Sequence, residues 1–316
     1  MTSFATPTLS TAHRPRSTPG THSGRTRTTR LRQGLTGWMF VAPAAVIYAL
    51  FVLRPLLTTI WYSFYNWDGI AVGKWVGLDN YRHVLTDPRL LSAIGHAFFL
   101  IVFFTVLPVL GGLVVAALLQ EIKIRGLGTA ARTLLFLPQI IPGAAAAVAW
   151  VWMYSTDGTV NQLLSALGLD GLTRSWLGDF DWALFAVGVI GTWLGLGFCT
   201  ILLMAGIGKI DAEIYEAARL DGATFWHTFR YVTVPGLRAE IGVCVTVTVI
   251  AALASFDIVF MSTQGGPGYA TTVPGVLIYQ LGFTESRVGL ASALAVVLVA
   301  LVLLVILPIQ RFFREK

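Results

Sequence analysis

Six apolar runs, separated by polar segments, dominate the pattern of hydrophobic and polar positions along this chain. Each run has about 20 residues, enough at about 1.5 Å per helical residue to cross a hydrocarbon layer of about 30 Å. We expect the spans at residues 37–57, 96–119, 133–154, 183–207, 241–261 and 288–309. The pattern therefore predicts an all-α polytopic membrane protein with six transmembrane helices.

The third run contains two helix-breaking residues, Pro138 and Pro142, on either side of the sequence QII. A membrane helix tolerates such breaks where neighbouring helices or a water-filled cavity satisfy the freed backbone groups. A broken third span suits a transport pathway, and a simple kink remains the alternative.

The segment between the third and fourth runs contains TVNQLLSALGLDG, with apolar residues at helical spacing. Thr159 is a candidate N-terminal cap, and Gly171 lies beyond the apolar positions. We expect a short helix that lies on the outer membrane surface.

A polar segment of different character, about residues 209–239, follows the fourth run and contains EIYEAARLDGATFWHTFRYVTVPG. Asp211 is a candidate helix cap, and Glu213 and Glu216 lie in early turns, where the helix dipole favours negative charge. Gly222 is expected to end this helix, because glycine adopts the left-handed conformation at low cost.

The second half of the same segment predicts another short helix. Thr224 caps it, Phe225 and Phe229 lie one turn apart on one side, and Pro235 is expected to stop it before the fifth span. Two short helices at an angle would form a rigid projection that a soluble partner would bind, and the aromatic residues are anchors of the kind that dominate interfaces. An amphipathic loop that lies on the membrane is the alternative.

Composition supports the membrane assignment and gives an orientation. Hydrophobic residues make up 55% of the chain and charged residues 12%, about half the charge of a typical soluble protein. With the N terminus inside, six of the 22 Lys and Arg residues fall outside and the remaining 16 inside. Because cytoplasmic loops retain Lys and Arg, both termini and the segment 209–239 should be cytoplasmic. The six predicted outer residues are Arg54, Lys74, Arg82, Arg89, Arg174 and Arg287.

Residues 1–34 form a basic tail without acidic residues and with few apolar side chains, so we expect it to be disordered and cytoplasmic. An Arg- and Ser-containing start is also typical of an organellar transit peptide, but this one lacks the apolar face of an amphipathic helix. The membrane-spanning region is then residues 35–316.

Several kinds of chemistry are missing from the sequence. It has no G-x-x-x-x-G-K-[ST] loop for ATP, no H-E-x-x-H for zinc and no G-x-S-x-G elbow. Cys199 and Cys244 lie within apolar runs, where cysteine behaves as a small hydrophobe. Basic residues are not clustered among aromatic residues, which argues against nucleic acid. We expect no enzymatic activity, bound cofactor or metal in this chain.

The polar segment resembles the EAA loop of the membrane subunits of ABC importers, with the pattern E-A-A-x-x-D-G-A, five residues, F, five residues, P. A second proline, frequent four positions later in that family, is Ala239 here. Further stretches resemble the carbohydrate-importing branch, from VLRPLLTTIWYSFYNWDG to SFDIVFMSTQGGPGYATTVPGVLIYQLGF, and GGPG is similar to the larger maltose-permease subunit. The matching residues in the loop are Glu216, Ala217, Ala218, Asp221, Gly222, Ala223, Phe229 and Pro235.

The resemblance implies a type I ABC importer permease of MetI-like architecture in a bacterial cell membrane. Its partners would be a second permease subunit, an ABC ATPase dimer that binds ATP and Mg²⁺, and an extracytoplasmic solute-binding protein. Glu216 would make a polar contact with the ATPase, Ala217 and Ala218 would pack closely, and Gly222 would form the turn. Asp221, Ala223, Phe225 and Phe229 complete the expected coupling set, with Phe225 and Phe229 either anchored in the ATPase or holding the loop to its own domain.

The expected solute is a sugar or an oligosaccharide. Gln139 and Asp257 are polar residues within apolar runs, where polar groups are costly and therefore candidates for function. Trp193 is able to stack on a sugar ring, as is Trp150, although packing is the alternative for both. Asp257 belongs to an SFD pattern that recurs in the family resembled, so a structural role stays open for it.

Three alternatives remain at this point. The same architecture would serve a non-sugar solute such as a glycerol phosphodiester or a polyol. An ion-coupled secondary transporter would need intramembrane ionisable residues, of which the sequence offers few. A membrane enzyme or scaffold is the third class.

Overall fold

The computed structural model describes residues 39–71, 73–121 and 125–314, and the predicted tail, residues 1–34, lies outside these described residues. The chain divides into two units, Met1–Pro55 and Leu56–Lys316. In the first unit, residues 39–55 are helical and include a π-helical turn at Ala49–Leu53.

The described residues are predominantly helical. The helices in chain order are α1 (Met39–Tyr62), α2 (Asp79–Thr86), α3 (Pro88–Gln120), α4 (Arg125–Ile140), α5 (Gly143–Met153), α6 (Thr159–Ala166), α7 (Ala183–Ile207), α8 (Ala212–Leu220), α9 (Phe225–Gly236), α10 (Arg238–Leu253), α11 (Asp257–Ser262), α12 (Pro274–Tyr279) and α13 (Val288–Phe313). The sequence analysis did not predict strands, but β1 (Tyr65–Asn66) pairs antiparallel with β2 (Lys74–Trp75).

Among the described residues, four helices are individually long and apolar enough to cross a membrane: α1, α3, α7 and α13. Two bent pairs, α4 with α5 and α9 with α10, also pass this test when each pair is taken as one span. Counted in this way, the described residues contain six candidate spans, of which five match predicted runs. The α9–α10 pair shares only residues 241–253 with the predicted fifth run, because α9 belongs to the predicted polar segment.

The predicted third span is bent by 100° between α4 and α5. Pro138 lies inside α4 without ending it, whereas Pro142 is the N-terminal cap of α5 with an extended backbone, φ −55° and ψ 138°. The residue before a proline is disfavoured in the helical region, so Ile141 is the position at which α4 is forced to stop.

The predicted fifth span, residues 241–261, is not one continuous helix. α10 ends at Leu253, and α11 begins at Asp257 after Phe256 has left the helical region with φ −139°. Gly275 of α12 approaches the backbone carbonyl of Ser255 so closely that a Cβ atom there would lie 2.8 Å from that oxygen. The close crossing of α12 accompanies the break, which the uninterrupted apolar sequence did not indicate.

The predicted short outer helix is present as α6, but its predicted boundary residues are wrong. Gly158, rather than Thr159, is the N-terminal cap, and Thr159 is the first helical residue. The helix ends before Gly168, which has a left-handed φ of +74°, and Gly171 lies in the 3₁₀ turn that follows. Glycine is favoured at the two ends for different reasons, since a Cβ atom at Gly158 would collide with the Met153 carbonyl and Gly168 adopts the left-handed region.

The core of the second unit is built around α3 and α7. A side chain at Gly112 of α3 would meet Cys199 and the backbone of Thr200, and one at Gly191 of α7 would overlap the ring of Phe104. Small residues at these positions let the two helix backbones approach closely, as in other membrane helix pairs. The α3–α7 pair therefore forms the frame from which the polar segment projects.

Candidate functional site

The polar segment connects α7 to α10 over residues 208–237 and is called the α7–α10 loop below. Asp211 is the N-terminal cap of α8 and Glu213 lies in its first turn, as predicted. The Asp211 side chain makes no capping hydrogen bond in the described loop, so its negative charge near the helix N-terminus is its remaining contribution.

Gly222 forms the turn between α8 and α9 with φ +76°. The Ala223 N–H donates to the Ala218 carbonyl at 2.9 Å, and the Gly222 N–H donates to the Arg219 carbonyl at 3.1 Å. These two bonds define a Schellman motif, in which the residue after the glycine also contacts the last turn of the helix. Ala218, Gly222 and Ala223 therefore build the turn, and Asp221 is the exposed C-terminal cap that precedes it.

Thr224 caps α9 as predicted, because its Oγ1 accepts a hydrogen bond from the His227 N–H. Pro235 does not stop this helix, contrary to the prediction. A π-helical turn at Phe229–Thr233 precedes Pro235, and the 70° bend to α10 falls at Leu237. A proline inside a helix removes one backbone hydrogen bond, and the wider turn before it accommodates that loss.

The inner face of the loop rests on the membrane helices. Thr233 is buried, and its Oγ1 lies 3.2 Å from the Tyr215 hydroxyl of α8, which joins the two short helices. Phe229 is half-buried and packs against the cluster that includes Leu113 of α3 and Leu203 of α7. Phe229 therefore packs the loop against its own domain, which is one of the two roles predicted for it.

The outer face of the loop is exposed. Glu213, Glu216, Ala217 and Leu220 follow helical spacing on α8, and Leu220 is 89% exposed. Trp226 is 65% exposed at the start of α9. An exposed apolar area at the tip of the projection is therefore flanked by the carboxylates of Glu213 and Glu216.

Phe225 lies between the two faces. It is 41% exposed, stacks on Phe229 at a ring distance of 6.3 Å and lies 5.6 Å from Trp226. Beneath it the loop leaves a cavity of about 330 Å³ against the end of α3, lined in part by Gln120 and Arg219.

Both ends of the loop are fixed to the spans. The Lys209 ammonium donates to Glu240 of α10 at 2.8 Å. Leu237 is fully buried, and Gly206 of α7 provides the space for its side chain. The loop therefore starts and ends at one base, so a displacement at its tip would be transmitted to α7 and α10 together.

Of the candidate substrate residues, Gln139 and Asp257 lie at the break in the third span, and Trp193 contacts the helix that follows it. Gln139 is exposed in the last turn of α4. The Asp257 carboxylate faces Gly143, the first residue of α5, closely enough that any side chain there would collide with it. Trp193 of α7 packs edge-on against Trp150 of α5 with ring centroids 5.8 Å apart. The structure thus associates Asp257 with the N-terminus of α5, where the helix dipole favours a negative charge.

Sequence reasoning missed the contacts that fix the loop. Tyr215, Thr233, Lys209 and Glu240 were not singled out as candidates, although Lys209 and Glu240 are charged residues next to apolar runs at the two borders of the loop. That paired placement was the available signal. Within the described residues, no group of three His, Cys, Asp or Glu side chains is arranged to hold a metal ion.

Comparison with known proteins gives one family. The model of the binding-protein-dependent transport system inner membrane component matches residues 109–315. The chain is 35% identical over 279 residues to the probable ABC transporter permease protein YurN of Bacillus subtilis strain 168, covering 88% of this chain and 95% of that relative. It is 32% identical over 287 residues to the lactose transport system permease protein LacF of Rhizobium radiobacter, covering 89% and 94%.

Among solved structures, the chain resembles one from a bacterial alginate ABC transporter in complex with an alginate pentasaccharide-bound periplasmic protein. The TM-score is 0.78 at 21% identity, covering 91% of this chain and 97% of that chain. At this level of identity the likeness establishes a shared fold, that of an ABC transporter permease.

Proposed function

Because the chain belongs to the family of binding-protein-dependent transport system inner membrane components, we propose that it is the permease subunit of an ATP-driven importer of a sugar or an oligosaccharide. Support for a carbohydrate solute comes from the lactose permease relative, and the fold shared with the alginate transporter is consistent with it. The chain is a multi-pass membrane protein, and its proposed location is a bacterial cell membrane with both termini cytoplasmic.

The α7–α10 loop is the proposed contact with a separate ATPase subunit that binds ATP and Mg²⁺. The observation that carries this proposal is the combination of a fixed base and an exposed apolar tip. Leu220 and Ala217 offer apolar contact area, and Glu216 offers a flanking charge for a cationic group on the partner. The sequence has no ATP-binding loop of its own, so the motion has to come from another chain.

In this mechanism, closure of an ATPase dimer on ATP moves the loop, and the loop moves α7 and α10. The pathway then alternates between openings on the two sides of the membrane. A second permease subunit is proposed to complete the pathway, and an extracytoplasmic binding protein to deliver the solute. The periplasmic protein in the alginate transporter complex supports the last of these partners.

The proposed solute contacts are Gln139, Trp193 and Asp257. The 100° bend between α4 and α5 exposes Gln139 and brings the N-terminus of α5 toward Asp257. Trp193 supplies an apolar ring of the kind that stacks on a pyranose face. Because Asp257 also faces the N-terminus of α5, its proposed role includes holding α5 in place after the bend in the third span.

The test of coupling is the variant Gly222→Val. Nothing lies within 4 Å of the position that a Cβ atom would occupy, so the substitution acts on the backbone alone. A β-branched residue in the left-handed region costs about 1–3 kcal/mol, which should open the turn. We expect at least a tenfold loss of uptake and of copurified ATPase, with normal amounts of the chain in the membrane.

Gly168→Val is the matched control. Gly168 has φ +74°, also has nothing within 4 Å of its Cβ position, and lies after α6 in a different loop. That variant should retain the ATPase, and Gly222→Asn should also retain it, because asparagine tolerates the left-handed region. Normal uptake and normal ATPase copurification in Gly222→Val would refute the coupling role.

The solute class needs a separate measurement. The binding protein that copurifies with the chain should be stabilised thermally by mono- or oligosaccharides. Stabilisation by a polyol or a glycerol phosphodiester alone would support an importer of this architecture but exclude a carbohydrate as its solute.

A further inference from the structure

A groove lies between α10 and α13 at the end of the spans from which the α7–α10 loop projects. Its volume is about 720 Å³, and its α10 wall starts at Ala239, three residues after the end of α9. At the base of the groove, Gly242 touches Phe313, since a Cβ atom at Gly242 would lie only 2.6 Å from the Phe313 Cβ. The two helices are therefore in contact at the base of the groove, which is open above this contact.

One side of the groove is apolar. Ala239, Val243 and Val247 repeat at helical spacing along α10, and Leu307 faces them from α13. The side chains of Val243, Val247 and Leu307 are 50%, 45% and 54% exposed. Half-exposed aliphatic residues at this depth form a surface for a hydrocarbon chain rather than a sealed core.

The other end of the groove is cationic. Arg311 and Arg314 line it from the end of α13, and the described lining residues include no carboxylate. Arg238 lies beside it, donating to the Phe312 carbonyl with its guanidinium 5.4 Å above the Phe312 ring. Glu240, the acidic residue on the first turn of α10, is paired with Lys209. Positive charge is thus concentrated at one end of the apolar wall.

We infer that this groove binds an anionic phospholipid, with the headgroup phosphate at Arg311 and Arg314 and an acyl chain along Val243, Val247 and Leu307. Charge complementarity selects this occupant. Basic pockets between membrane helices are suited to anionic headgroups, and each Lys or Arg near the surface contributes about 1 kcal/mol to such binding. A protein partner is the other occupant that the experiment below distinguishes, by cross-linking from the apolar wall.

The experiment is native mass spectrometry of the full chain, purified in mild detergent with the subunits that accompany it. The probes are phosphatidylglycerol and phosphatidylcholine with identical acyl chains. Phosphatidylglycerol should bind the natural chain more tightly. The variant Arg311→Gln with Arg314→Gln should weaken that binding about 5-fold for each arginine, or about 30-fold in total, and leave phosphatidylcholine binding unchanged.

Lys74→Gln with Arg82→Gln is the charge-matched control, since both residues are exposed and belong to β2 and α2. It should leave the preference for phosphatidylglycerol intact. Val243→Phe fills the groove without changing charge and should reduce binding of both lipids. Gel filtration confirms that each variant is folded.

Several results would overturn the inference. The first is that the natural chain binds the two lipids equally. The second is that the arginine variant keeps its preference for phosphatidylglycerol, and the third is that the charge-matched control loses as much phosphatidylglycerol binding as the arginine variant. Competition by inorganic phosphate as strong as by lipid would assign the arginines to a free anion instead. A cross-link from Val243→Cys to another protein chain at full occupancy would assign the groove to a protein interface.

Discussion

Two loops that join spans, residues 154–182 between α5 and α7 and residues 208–237 between α7 and α10, are stabilised in different ways. In the α5–α7 loop, the buried Asn161 amide donates to the carbonyls of Ser155, Thr156 and Arg174. Its carbonyl oxygen accepts from the Arg174 N–H and the Trp176 indole. A single side chain therefore holds this loop together from within.

The α7–α10 loop has no comparable centre among its described residues. Its two short helices are joined by Tyr215 and Thr233, its base by Lys209 and Glu240, and its tip carries the exposed Leu220. Both loops expose apolar residues, such as Leu167 in the first and Leu220 in the second. They differ in what holds them together, since the first is held by one buried side chain and the second by contacts at its base. The comparison teaches that the first loop supports itself whereas the second depends on its base, and the predictions below test this contrast.

The largest expected effect concerns the α5–α7 loop. Asn161→Ala leaves several buried backbone groups and the Trp176 N–H without their partner, and each such group costs about 1–3 kcal/mol. We expect a loss of about 2–4 kcal/mol in the free energy of unfolding, measured as a lower Tm in detergent. Limited proteolysis should cut the α5–α7 loop, and below the new Tm the ATPase should still copurify.

The neighbouring variant Gln162→Ala is the control, because the exposed Gln162 makes one described hydrogen bond, to the Asp157 carbonyl. It should change the Tm little. An unchanged Tm in Asn161→Ala would contradict the view that this loop is self-supporting.

An intermediate effect is expected at the tip of the α7–α10 loop. Leu220→Asp changes a side chain that is 89% exposed, so the Tm of the isolated chain should not fall. It should weaken binding of the ATPase subunit about tenfold, which corresponds to the 1–2 kcal/mol typical of a significant interface residue. Pull-down titration of the ATPase measures this change.

Leu167→Asp in the α5–α7 loop is the matched control, since Leu167 is 66% exposed. It should leave ATPase binding unchanged. Equal binding by Leu220→Asp and the natural chain would remove the tip from the contact surface and leave Trp226 as the next residue to test.

The sequence predicted the parts of the fold that depend on local chemistry. Run length alone located the four long apolar helices and the bent third span, because a helix needs about 20 apolar residues to cross the bilayer. Gly222 and Thr224 were identified correctly as turn and cap, since a left-handed φ and a capping hydroxyl are local requirements. These are features that one or two residues determine without help from distant segments.

The parts that depended on distant segments were not predictable. Pro138 and Pro142 look alike in sequence, yet only Pro142 lies at the bend. The end of α10 at Leu253 follows from the close approach of Gly275, which no periodicity reveals. Asn161 reads as an ordinary loop residue until its burial is known.

In the candidate site, too, local features were predictable and features that depend on distant segments were not. Ala218 and Ala223 belong to the motif found in sequence, but their role in the turn emerged from the two hydrogen bonds around Gly222. The distinction between the inward Phe229 and the outward Leu220 required the packing of the loop on α3 and α7. A motif therefore located the site, and tertiary contacts assigned its faces.

The smallest expected effect tests whether the α7–α10 loop has any stiffness of its own. Tyr215→Phe removes the 3.2 Å contact with Thr233 and leaves the buried Thr233 hydroxyl without that partner, at a cost of about 1 kcal/mol. Amide exchange in α8 should become about fivefold faster, whereas Tyr231→Phe, at a side chain 70% exposed, should not change it. Faster exchange that disappears when the ATPase is bound would mean that the partner supplies the missing rigidity. Unchanged exchange without the ATPase would mean that the fixed base alone holds α8, and the contrast between the two loops would then rest on that base.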